Sequence, residues 1–186
     1  MAQSVNVRTI VIQGLSILVV CAIIEILAGN VMAGMKDRLT VTLPGLILVI
    51  PPLLDLRGNV NGALASRLGT ALHTGVIEPK FSMTKELKVN IYSSLILSLL
   101  ASATIGVLSY IIGAILGIGP INFLALATIA VAAGMISGVV LAFLTVAISI
   151  ASYNRGWDPD NITAPLMATV GDLITMVSVF LIVILV

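Results

Sequence analysis

The sequence predicts an all-α, polytopic membrane protein with five transmembrane helices, and three observations carry that prediction. Of 186 residues, 59% are hydrophobic and only 9% charged, with a mean hydropathy of +1.21. An ordinary soluble domain is about 45–50% apolar and about 25% charged, so nine Lys+Arg and eight Asp+Glu cannot wet a globule of this size and a soluble enzyme is excluded. From Val89 to Asn154 the chain carries no charge at all, a stretch about three times too long for one crossing of a core roughly 30 Å thick. Most of the charges gather in short stretches between apolar runs.

Taken in order, Ile10 to Met35 holds a single charge, Glu25, and makes the first span. Its start imitates a signal peptide, with Arg8 ahead of an apolar run, but the run is too long and carries an acid, so an uncleaved helix is expected. The second span begins in Leu39 to Leu54 and then meets Asp55 and Arg57, so it must tolerate charge or break. Pro51 and Pro52 remove two helical donors and Gly58 eases unwinding, which predicts a second helix broken near Pro51-Pro52/Gly58. Glu78 to Lys88 reads as a loop, with Ser82 ahead of Lys85-Glu86 as the next helix start. Gly117-Ile118-Gly119-Pro120 is a reversal that divides the uncharged stretch into a third and a fourth span. Asp158-Pro159-Asp160-Asn161 is a tight connection before the fifth, which only Asp172 interrupts. The spans are expected at 9–35, 41–74, 86–117, 120–152 and 161–186, in one domain. With Arg8, Lys80, Lys85, Lys88 and Arg155 on one side against Lys36 and Arg38 on the other, the N-terminus is expected in the cytoplasm and the C-terminus outside. Two Gly-x-x-x-Gly spacings, Gly113/Gly117 and Gly134/Gly138, are expected to let helices approach closely.

The composition excludes other chemistry. A net charge of +1 without a basic tract leaves no nucleic-acid footprint. One cysteine, Cys21, excludes a disulfide framework and a thiolate zinc site, and one histidine, His73, excludes a multi-His cluster. No Walker glycine loop is present.

Function should therefore reside in the few polar residues at membrane depth, since an ionisable group there costs several kcal/mol unless paired or wetted. Asp172 lies about seven residues past Pro165, roughly 10 Å into its helix, too deep for a short aspartate to reach the interface. Ala168, Thr169, Asp172 and Thr175 make a stripe of small and polar residues suited to a hydrated cation. On the second helix Asn59, Gly62, Ser66, Gly69/Thr70 and His73 share a face that offers oxygen ligands, which suit hard cations such as Mg²⁺, Ca²⁺ or Na⁺. Glu25 is either a further acidic contact or a partner for Arg57 or Arg67, and both arginines are expected to fold against carboxylates. His73 is expected at the interfacial end of its helix. One aspartate matches a divalent ion poorly, so a symmetric dimer with Asp172 of both subunits on a shared axis is expected. Emptied of the ion, such a pair needs a proton or another cation between its charges.

The same residues carry a family resemblance. Pro52-Leu-Leu-Asp-Leu-Arg-Gly-Asn59, continuing as Leu64-Ala-Ser-Arg-Leu-Gly-Thr70, resembles the second-helix signature of the MgtE-type magnesium transporters, closest to the solute carrier family 41 branch. Asp158-Pro-Asp-Asn-Ile-Thr-Ala-Pro165 with Thr169-Val-Gly-Asp172 resembles the fifth-helix signature. The resemblance implies a homodimeric, Mg²⁺-conducting domain of the plasma membrane, surrounded by lipid, with helices two and five lining the pore. It also implies that Asp172 holds hydrated Mg²⁺, that the Ala168 carbonyl faces that site and that Asn59 belongs to it, with Pro165 and Thr169 at flanking positions. Asp55 and Glu25 complete the expected metal-site set. The chain departs from the pattern at Val60-Asn61-Gly62-Ala63, where Asn61 stands at a commonly acidic position. A large cytoplasmic sensing region would not fit before Ile10, and the chain corresponds to one half of the tandem solute carriers, which again points to a homodimer.

Two other functions compete. An intramembrane aspartyl protease would use Asp55 and Asp172, but Thr-Val-Gly precedes Asp172 where such proteases carry Gly-x-Gly. A structural scaffold leaves the double proline and the deep aspartate unexplained.

Overall fold

The computed structural model describes residues 7–118, 122–156 and 159–186. Five long helices follow one another: α1 (Val7–Gly34), α2 (Leu46–His73), α3 (Lys85–Leu116), α4 (Phe123–Asn154) and α5 (Pro159–Leu185), with a π-helical turn (Arg38–Thr42) between α1 and α2. The all-α expectation holds, with no strand among the described residues. Lys85–Leu116, Phe123–Asn154 and Thr163–Leu185 are long and apolar enough to cross a membrane, and Leu18–Gly34 is a shorter apolar stretch. In α2 the prolines, Asp55, Arg57 and the asparagines dilute the apolar character.

Helix α2 lies at the centre, against α3, α4 and α5, while α1 packs on α5. One core cluster joins Val49, Ile50 and Leu53 of α2 to Ile129 and Ala133 of α4 and to Met176 and Val179 of α5. A second joins Leu64, Leu68 and Leu72 to Leu87 and Ile91 of α3 and to Val146 and Ile150 of α4. Between helices in lipid the hydrophobic drive fades, and close packing with interhelical hydrogen bonds takes over. The α3–α4 crossing is built that way. Gly106 of α3 sits so tightly on α4 that an added Cβ would lie 3.0 Å from the Ala127 backbone, and a Cβ at Gly134 would run into the Ser102 side chain.

Several expectations need correction. Helix α2 is not broken near Pro51-Pro52/Gly58; it runs continuously from Leu46 to His73. Pro52 cannot donate to the Leu48 carbonyl one turn back, but the Ser109 hydroxyl of α3 donates to that carbonyl at 3.2 Å and replaces the lost bond. Gly58 is a packing position instead of a hinge, its open side 3.7 Å from the Ala168 Cβ of α5. The stretch expected to open the second span instead forms the π-helical turn, held in the core by Leu39. Thr84, not Ser82, caps α3, its hydroxyl accepting from the Leu87 amide at 3.2 Å. Gly117 is the left-handed residue that ends α3, at φ +65, and not half of a packing pair, whereas Gly134 and Gly138 do meet neighbouring helices. Asn122 starts α4 by accepting from the Leu124 and Ala125 amides. Gly119, Pro120 and Asp158 of the expected connections lie outside the described residues. Pro159, Asp160 and Asn161 belong to the first turn of α5, where a proline costs no hydrogen bond.

Candidate cation site

Three helices bring carboxylates to one place. Asp172 of α5 is half-buried, Glu25 of α1 lies within hydrogen-bonding reach of it, and Asp55 of α2 is near enough to act on it electrostatically. The α1–α5 and α2–α5 packing produces this meeting, with Gly58 and Ala168 keeping α2 close to α5. None of the three carboxylates is paired with a cationic side chain among the described residues. Carboxylates so placed repel unless a proton or a cation stands among them.

Asn59 extends the site along α2. Its Nδ2 donates to Asp55 Oδ2 at 2.8 Å, one turn back, which orients the carboxylate. Asp55, Asn59, Ser66, Thr70 and His73 are all exposed along this face of the chain, whereas Gly69 is buried. His73 closes α2 with its ring edge-on to Tyr153 at 5.3 Å, as expected of a helix-end residue. Among the described residues no group of three His, Cys, Asp or Glu side chains converges tightly enough to chelate a bare ion.

Other expected residues are not on this surface. Thr169 is buried and its hydroxyl donates back to the Pro165 carbonyl at 3.3 Å. Thr175 is fully buried. The stripe beginning at Ala168 thus serves largely to seat α5 on its neighbours, since small residues allow close approach. The arginines also depart from expectation, because among the described residues neither folds against a carboxylate. Arg67 donates from Nε to Asn90 Oδ1 at 3.0 Å and from Nη2 to Ser94 Oγ at 3.2 Å. Arg57 is fully buried and donates from Nη1 to Ser98 Oγ at 3.1 Å.

Both arginines read a feature that sequence reasoning passed over. Ser94, Ser98, Ser102, Gly106, Ser109 and Gly113 form one buried seam on α3. Their spacing of three and four was visible in the chain and marks a polar, close-packing face turned toward α2 and α4.

A family model described as "MgtE: Divalent cation transporter" matches residues 50–182, which includes α2 from its prolines onward and Asp172. The chain belongs to the MgtE family. Members are transporters and not enzymes, and this is a membrane protein. Among curated relatives, solute carrier family 41 member 3 of Rattus norvegicus is 32% identical over 137 residues, covering 70% of this chain and 29% of the rat protein. Solute carrier family 41 member 2 of Xenopus laevis and of Homo sapiens are each 31% identical over 136 residues, covering 69% of this chain and 23% of theirs. The chain thus spans less than a third of the length of these relatives. No solved structure matches it.

Proposed function

We propose that the chain is a transmembrane domain that conducts a divalent cation, Mg²⁺ in the first place, and works as a homodimer in the plasma membrane. The whole of 1–186 acts as one MgtE-like domain whose five helices all cross the bilayer, with the N-terminus cytoplasmic and the C-terminus external. A hydrated ion is held by Asp172 of both subunits in a passage lined by α2 and α5. Glu25, Asp55 and Asn59 widen the acidic, oxygen-rich wall, and the Ala168 carbonyl flanks it, with Thr169 buried behind and its hydroxyl held on the Pro165 carbonyl.

The observation that carries this is the gathering of Glu25, Asp55 and Asp172 from three helices without a cationic partner among the described residues, on a chain of a divalent cation transporter family. Lipid would not tolerate the exposed polar face of α2, which needs water or a second protein surface beside it. A second copy supplies both. Carboxylates contributed singly by separate helices suit Mg²⁺, which sheds its water reluctantly and takes few direct carboxylates.

Uptake of Mg²⁺ into proteoliposomes tests the proposal. Asp172→Ala should lower the flux at least about tenfold, and Asn59→Ala should lower it by a smaller factor, with both variants still eluting as folded protein. Flux unchanged by Asp172→Ala removes that carboxylate from the path.

A further inference from the structure

We propose that Arg57 is a charge-tuning residue of the cation site: its guanidinium, buried behind the acidic cluster and left unneutralised, weakens divalent binding and so lets the ion leave. This rests on the site proposed above.

Arg57 is 0% exposed and has a single hydrogen bond, from Nη1 to Ser98 Oγ. Its Nε and Nη2 have no partner. Those two nitrogens form the edge of the guanidinium that a carboxylate fits in a bidentate fashion, yet no carboxylate pairs with it among the described residues. As a structural device this is a poor choice. A buried ionic group can often be exchanged for an apolar one of similar volume without loss of stability, whereas unsatisfied buried donors carry a penalty. The charge itself is then the feature to explain.

Its position offers the explanation. The Arg57 stem packs against the α5 backbone beside the key aspartate: a Cβ on Gly171 would lie 3.1 Å from the Arg57 Cβ and 3.9 Å from its Cγ. Two residues earlier on α2, Asp55 faces the acidic cluster, while the head of Arg57 turns to α3. The positive charge therefore lies behind the helices that carry Asp55 and Asp172, on the side of α3, with no carboxylate paired to it among the described residues.

The magnitude follows from Coulomb's law. A fixed charge acts on a divalent ion with twice the energy it exerts on a monovalent one, so a change of about threefold in monovalent affinity becomes about tenfold in divalent affinity. The second factor is the square of the first because the ion's charge doubles. A loss of packing would not produce that ratio.

Purified protein in detergent, titrated separately with Mg²⁺ and Na⁺ by calorimetry, provides the test. Arg57→Gln and Arg57→Met should bind Mg²⁺ about tenfold tighter and Na⁺ about threefold tighter, and should release Mg²⁺ more slowly. Arg57→Met needs no hydrogen-bond partner and carries the test should the amide variant be unstable. Arg57→Lys keeps the charge and Ser98→Ala keeps it while removing the anchor, so both should stay near wild-type affinity. Folded Arg57→Gln and Arg57→Met with unchanged or weaker Mg²⁺ binding would overturn the proposal, as would equal gains for the two ions. Wild-type Mg²⁺ affinity in Asp172→Ala would instead overturn the site on which it rests.

Discussion

Glu25 and Asp172 approach each other from the first and the last helix of the chain, within reach of a shared hydrogen bond. Two carboxylates accept this proximity only with a positive species between them, so their roles are coupled but unequal. Asp172 also feels Asp55 and stands where α1, α2 and α5 converge, while Glu25 is on the exposed edge of α1. Glu25→Gln should therefore reduce Mg²⁺ affinity severalfold and leave transport at saturating ion largely intact, whereas Asp172→Asn should reduce both. Concentration-dependent flux in proteoliposomes separates the two outcomes. The individual acids were legible in the chain, because a charge in an apolar run is conspicuous. Their meeting was legible only in part, since whether Glu25 joins the other acids or an arginine depends on which face of α1 turns toward α5, and that rests on packing spread over the entire helix. The arginines misled for a related reason. A buried arginine suggests a carboxylate, and the serine hydroxyls that receive Arg57 and Arg67 lie on α3, where serine passes for a small packing residue.

At the scale of helices, the expected break in α2 shows what local rules miss. Pro51 and Pro52 do remove donors, but a helix survives when a neighbour supplies the lost bond. Ser109 does so for the Leu48 carbonyl, from 61 positions along the chain. The succession of five helices was readable because it follows from length and hydropathy; continuity through the prolines was not, because it depends on a contact between α2 and α3. Ser109→Ala should cost about 1 kcal/mol by leaving a part-buried carbonyl without a donor. In a Pro52→Ala background the substituted residue regains a backbone amide that can bond that carbonyl itself, so the same change should cost clearly less. A double-mutant cycle on thermal unfolding in detergent reads the coupling, and strict additivity would detach Ser109 from the proline.

For the whole molecule, the decisive feature is an imbalance between faces. Much of the exposed surface of α1 and α3 is apolar, as lipid demands, but α2 exposes Asp55, Asn59, Ser66, Thr70 and His73 along its length. A polar stripe of that extent cannot face hydrocarbon, and a two-fold axis beside it would set two such stripes across an aqueous passage. The geometry predicts which positions approach their own copies. In a Cys21→Ser background, Ser66→Cys or Thr70→Cys should form disulfide-linked dimers on mild oxidation in membranes, while Leu100→Cys on the exposed apolar face of α3 should remain monomeric. Added Mg²⁺ should change the rate at the α2 positions and leave the α3 control unaffected, because in the proposed dimer the ion would draw the acidic walls of the two subunits together. Cross-linking at Leu100→Cys in preference to the α2 positions would place the symmetry axis on another face and separate the α2 stripe from any shared pore.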